Sequence, residues 1–124
     1  MYDFYLSETE SKRYLKGEHT MNIRHIFEHD ERIENIFDLP CMERQKSFYG
    51  KAKVIETNYG RYLLSYDTVV CGLMYGGLFI KYWNDWSATT AKHINSFCKY
   101  TRIGNGFNKK EWLNLPEKMD SAKG

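Results

Sequence analysis

Two groups of side chains carry the residue types that chemistry needs. In His25-Ile26-Phe27-Glu28-His29 the two imidazoles stand four residues apart. On a helix they would share one face, with a carboxylate beside the second, an order that can hold a metal ion. Such a site needs a third protein ligand and a larger supporting domain, so no metal is assigned; the plainer reading is an acidic surface whose histidines pair with Glu28 or Asp30. The second group is Ser87, Thr89 and Thr90 at a predicted helix start, with His93 one turn on. Free N–H groups and the helix dipole favour an anion there, and His93 would add charge or move a proton. The opposing reading has Ser87 capping, the threonines bonded back to the helix, and His93 as a satisfied, half-buried ring. No Gly-rich loop favours the anion. Cys71 falls in a predicted strand and Cys98 on a predicted buried stripe, neither beside an activating base, so no nucleophilic triad assembles. No catalytic residue and no cofactor is assigned.

The elements that position these residues are legible in the middle of the chain. Lys51–Thr57 alternates as a half-buried strand, Asn58-Tyr59-Gly60 is a hairpin turn with Gly60 suited to positive φ, and Arg61–Tyr66 returns. Thr68–Tyr75 and Leu78–Trp83 follow, separated by Gly76-Gly77. Ser87 then opens a helix to Ile103 in which Ala91, Ile94, Phe97 and Cys98 form an inward stripe, with Gly104 as its stop. Asn108-Lys109-Lys110-Glu111 is a capping box opening a short segment in which Trp112, Leu113 and Leu115 can dock. Before the strands, Ser7-Glu8-Thr9-Glu10 opens a short helix, and Asn22–Leu39 reads as a second one through Ile23, Ile26, Phe27, Ile33, Ile36 and Phe37. The fold class is therefore α+β: an antiparallel meander of three to four strands, one main helix packed on it, and N-terminal helices. It is one domain, with residues 1–47 helical, 48–103 the sheet-plus-helix core, and 104–124 an extension ending in a polar tail.

Composition bounds the function. The chain has 124 residues and a formal charge of +2, and aromatic residues make up 16 %, ten of them Tyr. Residues 1–47 hold 7 basic and 10 acidic side chains; residues 48–124 hold 11 and 6. Tyrosine in excess suits a half-exposed surface. The three cysteines show neither zinc spacing nor a disulfide framework, and no apolar run reaches the roughly 20 residues of a membrane span. Lys16 to Met21 reads like a translated bacterial ribosome-binding sequence before a start codon, which predicts Met21 as an internal initiator and the gene as bacterial or from a bacterial virus. A cytoplasmic protein in a bacterial host cell is expected.

Two surfaces follow. Glu28, Asp30, Glu31, Glu34 and Asp38 would line an acidic helix face able to mimic nucleic acid, and Tyr62, Tyr66, Trp83 and Trp86 would add aromatic anchors for a protein partner. Alternatively, Lys51, Lys53, Arg61 and Lys81 would make one sheet face basic as well as aromatic and let it bind DNA.

Read together, Tyr49-Gly50-Lys51-Ala52, Ser65-Tyr66-Asp67-Thr68 and Trp86-Ser87-Ala88-Thr89-Thr90-Ala91-Lys92-His93 give the stretch from Phe48 to Phe97 a resemblance to an uncharacterised family. Its members are small proteins of Gram-positive bacteria, their phages and mobile elements. The resemblance implies provenance and no activity. The strand-strand-strand-helix order is also similar to small domains whose three-stranded sheet enters the DNA major groove. The function expected is a non-enzymatic binding protein of phage or mobile-element origin. It would occlude a host protein surface, its targets being nucleic-acid-handling defence complexes, as anti-CRISPR inhibitors do. Binding DNA is the alternative; no membrane is implied and the oligomeric state is open.

Overall fold

The computed structural model describes residues 26–120. The predicted helix opening at Ser7 and the initiator Met21 lie outside them. The strands are β1 (Ile33–Asp38), β2 (Ala52–Thr57), β3 (Gly60–Ser65), β4 (Thr68–Met74), β5 (Leu78–Lys81) and β6 (Lys118–Asp120). They form one six-stranded antiparallel sheet in chain order, β1-β2-β3-β4-β5-β6. Helix α1 (Ala88–Thr101) and the short α2 (Lys109–Asn114) complete the described elements.

The α+β class holds, and the sheet is wider than three to four strands. Both added strands come from segments read otherwise. β6 forms in the polar tail and pairs Met119 with Phe79. β1 replaces the second half of the helix expected over Asn22–Leu39, and the reason is a register shift. Ile33 pairs with Thr57, and a bulge between Ile33 and Asn35 resets the ladder so that Ile36 opposes Ile55 and Phe37 opposes Val54. One extra residue puts Ile33 and Ile36, three apart, on the same sheet face, while Phe37 turns to the other. A bulged strand thus imitates the spacing of a helix.

Each face of the sheet carries its own core. On one lie Ala52, Val54, Leu63, Cys71, Leu73 and Phe79, met by Ile94, Phe97 and Cys98 of α1 and by Trp112 of α2. The predicted stripe of α1 does face inward: Ala91, Ile94, Phe97 and Cys98 are all buried. On the opposite face Ile33, Ile36, Ile55, Tyr62, Leu64 and Val69 pack with Ile26, Phe27, Met74 and Tyr82. Tyr62 is flattened over Gly72, where an added Cβ would come within 2.9 Å of the ring.

The caps are partly as expected. Ser87 accepts from the Thr90 N–H, and Asn108 and Glu111 form the complete capping box of α2. The left-handed residue ending α1 is Arg102, at φ 65°, rather than Gly104. Gly60 is not at positive φ. It is needed because a Cβ there would lie 2.6 Å from the Leu73 carbonyl oxygen of the neighbouring strand.

Candidate functional site

The connector between β1 and β2 builds one wall of the site. It is tied to α1 at two points: the Met42 N–H donates to Ser96 Oγ at 3.0 Å, and Lys99 Nζ meets Glu43 at 3.1 Å. At its end the chain inverts. Phe48 is buried with its ring edge-on to His93 at 4.6 Å, and the next residue, Tyr49, is 73 % exposed at φ 53°. Across from it the β3–β4 turn holds Tyr66, also left-handed at φ 57° and exposed, its ring 5.7 Å from that of His93. The Tyr66 N–H donates to the Lys51 carbonyl at 2.8 Å, which ties the two segments together.

Between them lies an open cleft of about 260 Å³, lined by Gln45, Phe48, Tyr49, Lys51, Tyr66, Thr89, Lys92 and His93. A second depression, of about 350 Å³, shares Phe48 and Tyr49 and runs along Ser47, Gly50 and the end of β1. The cleft beside His93 has two exposed lysines and two exposed tyrosines at its mouth and no carboxylate in its lining. A left-handed conformation costs an L-residue about 1–2 kcal/mol, and glycine would relieve it. The chain instead places a tyrosine at both positions, where each ring reaches solvent beside a lysine.

The cleft floor is a buried polar chain. Ser65 Oγ lies 2.7 Å from His93 Nδ1 and 3.1 Å from Thr90 Oγ1. Burial of the ring, reinforced by the Lys51 charge, pulls the His93 pKa down to about 4, so the imidazole is neutral at ordinary pH. Ser65 is 2 % exposed and its hydroxyl is shared between two partners, an arrangement that pins β3 to α1.

The predicted sites sort as follows. Lys51, Tyr66, Thr89 and His93, read for three different purposes, meet in this one cleft. The anion set does not assemble as drawn: Ser87 is consumed as the cap and Thr90 by Ser65, which leaves Thr89 facing the opening. The acidic helix face does not form. Glu28 and His29 lie in non-helical chain, so the helical spacing behind the metal reading is lost as well. Glu31 is buried, accepting from Tyr62 Oη at 2.5 Å, Thr57 Oγ1 at 2.6 Å and the Glu28 N–H at 2.9 Å. Asp30 accepts from the Tyr59 hydroxyl, which holds the Asp30 carboxyl below its usual range. Glu34 lies near Arg32, and Asp38 pairs with Lys53 at 2.6 Å.

The basic aromatic sheet face is likewise not one surface. By strand alternation Lys53 sits on the face of Ile55, whereas Arg61 and Lys81 project to the face of Leu63 and Phe79. Lys81 is buried, donating to the Trp112 carbonyl at 3.0 Å with its ammonium 5.7 Å from the indole. Tyr62 is core. Trp83 and Trp86 pack against the helix-side cluster, and Trp83 offers its carbonyl to Trp112 Nε1 at 3.1 Å. Sequence reasoning missed Gln45, Tyr49 and Lys92 as site residues. The available signal was Phe48-Tyr49-Gly50, two aromatics followed by a glycine, which marks a reversal that must expose one ring.

Residues 37–114 match a family of unknown function, DUF8033, and the chain belongs to that family. No curated protein and no solved structure matches it. The Ser-Tyr-Asp-Thr turn and the Thr-Thr-x-x-His helix start, distant in sequence, are the segments that touch at Ser65, Thr90 and His93. Among the described residues no helix is long and apolar enough to cross a membrane.

Proposed function

We propose that this member of DUF8033 is a non-enzymatic binding protein whose contact surface is the cleft between Tyr49 and Tyr66. The observation that carries this reading is the pair of left-handed tyrosines. Two bulky side chains held in a conformation suited to glycine, both at one opening, mark a place where local stability yields to a requirement for those rings. The polar floor supports binding over catalysis: Ser65 is enclosed and shared, and no carboxylate orients His93 from the cleft lining. The phage or mobile-element provenance suggested by the motifs suits a small occluding protein, and a cytoplasmic host complex that handles nucleic acid is the partner class it would meet. An acidic helix mimicking nucleic acid is not the means, because Glu31 is interior and its neighbours lie on a strand and a turn.

A photo-crosslinking residue placed at position 49, compared with one at exposed Tyr75 on the β4–β5 turn, tests the surface in host lysate. A saturable adduct is expected at position 49 alone, competed by unlabelled wild-type protein and not by the double variant Tyr49→Ala, Tyr66→Ala. Equal labelling at the two positions, or competition by the double variant, rejects the cleft as the contact surface.

A further inference from the structure

We infer that the cleft takes a nucleotide unit, a nucleobase stacked on the exposed tyrosines with its phosphate held by Lys51 and Lys92. This rests on the binding surface proposed above and names its ligand chemistry. Three features converge on it. The cleft lining combines two ammonium groups with no carboxylate, so an anion is favoured and a cationic peptide is repelled. The two tyrosine rings at the mouth give a flat ligand an aromatic face, and stacking on such rings tolerates any base. A volume of about 260 Å³ falls just below the range of drug-sized ligand sites, which limits the cleft to one nucleotide unit.

The floor contributes without titrating. His93 is neutral, so the positive charge of the cleft comes from Lys51 and Lys92, and the His93 ring with that of Phe48 closes the bottom. Thr89 is exposed on the first turn of α1 and offers a hydroxyl beside Lys92. Gln45 stands on the facing connector, its side-chain N–H bonded to the Ser47 carbonyl at 2.7 Å, which leaves its carbonyl oxygen to accept from a base edge.

A nucleotide unit comes either free or within a single strand, and fluorescence titration at low salt separates the two. The probes are the four ribonucleoside monophosphates and a labelled hexathymidylate, with inorganic phosphate as the comparison. Saturable binding of the hexanucleotide alone assigns the cleft to single strands; saturable binding of a monophosphate assigns it to free nucleotides. Either supports the inference if Tyr49→Ala weakens it about 5- to 100-fold while Tyr75→Ala leaves it unchanged. For the strand, neutralising Lys51 and Lys92 together should reduce the salt slope by about 1.4. No binding to any probe, binding indifferent to Tyr49 and Lys51, or inorganic phosphate binding as well as nucleotide overturns it. If the ligand fails while the position-49 crosslinker still captures a specific partner, the contact surface stands and only the ligand class falls.

Discussion

The Ser65 hydroxyl and His93 Nδ1 are 2.7 Å apart in the interior, bridging β3 and α1 beneath the cleft. The same hydroxyl lies 3.1 Å from Thr90 Oγ1, so one side chain satisfies two buried groups on successive positions of the helix's inner face. Replacing it leaves both unpaired. Ser65→Ala is expected to cost about 1–3 kcal/mol, read as a lower urea midpoint at unchanged slope. An unchanged midpoint in Ser65→Ala would show the bridge to be idle.

The neutral His93 makes stability depend on pH in a defined window. Its folded pKa is about 4 and its unfolded value is near the ordinary 6.5. Between those values the unfolded chain takes up a proton that the folded ring does not. The stabilisation is therefore complete above pH 6.5 and is lost as pH falls towards 4. Allowing for solvent screening through the open cleft beside the ring, the loss is on the order of 2 kcal/mol. Urea denaturation at pH 7 and pH 4.5 should show it, and His93→Gln should flatten that part of the profile.

Glu31 behaves as a core residue. Its carboxylate accepts from Tyr62, Thr57 and a backbone N–H, and Gln in its place would turn an NH₂ towards at least one of those donors. Glu31→Gln should destabilise by about 1–3 kcal/mol and leave partner affinity per folded molecule unchanged. A surface that mimics nucleic acid through Glu31 would give the reverse.

Tyr49 should show an exchange of stability for binding. Tyr49→Gly removes the left-handed penalty at a side chain with little to lose in burial, so the urea midpoint should rise, by about 0.5–1 kcal/mol in free energy. Nucleotide binding at the cleft, and the ability of the unlabelled variant to compete for the position-49 adduct, should fall in the same variant. A glycine that costs stability would mean the ring is held by packing instead of by function.

At Gly72 the sheet has no room for a side chain. Gly72→Ala drives a Cβ to within 2.9 Å of the Tyr62 ring and should destabilise by about 1–3 kcal/mol, whereas Gly76→Ala on the β4–β5 turn meets nothing within 4 Å and should be near neutral. Thermal melts of the two variants make the comparison.

The meander and α1 were readable because their signals are local. Period-two alternation, turn residues at hairpin spacing, a serine cap and a stripe at Ala91, Ile94, Phe97 and Cys98 each lie within a dozen residues. β1 reads as helix because a bulge gives Ile33 and Ile36 the spacing of a helix, and only pairing with β2 resolves the two. β6 carries almost no apolar pattern; it is a strand because β5 offers it a free edge. The site was legible in pieces. Lys51, Tyr66, Thr89 and His93 each stand out by residue type, but nothing in their spacing says they share one cleft. Their meeting depends on the connector being tied to Ser96 and Lys99, and on two left-handed residues that turn Tyr49 and Tyr66 outward. Charge is the sharpest contrast. The sequence determines how many acidic and basic groups there are, whereas burial decides which of them a partner can reach, and that removes Glu31 and Lys81 from the surface.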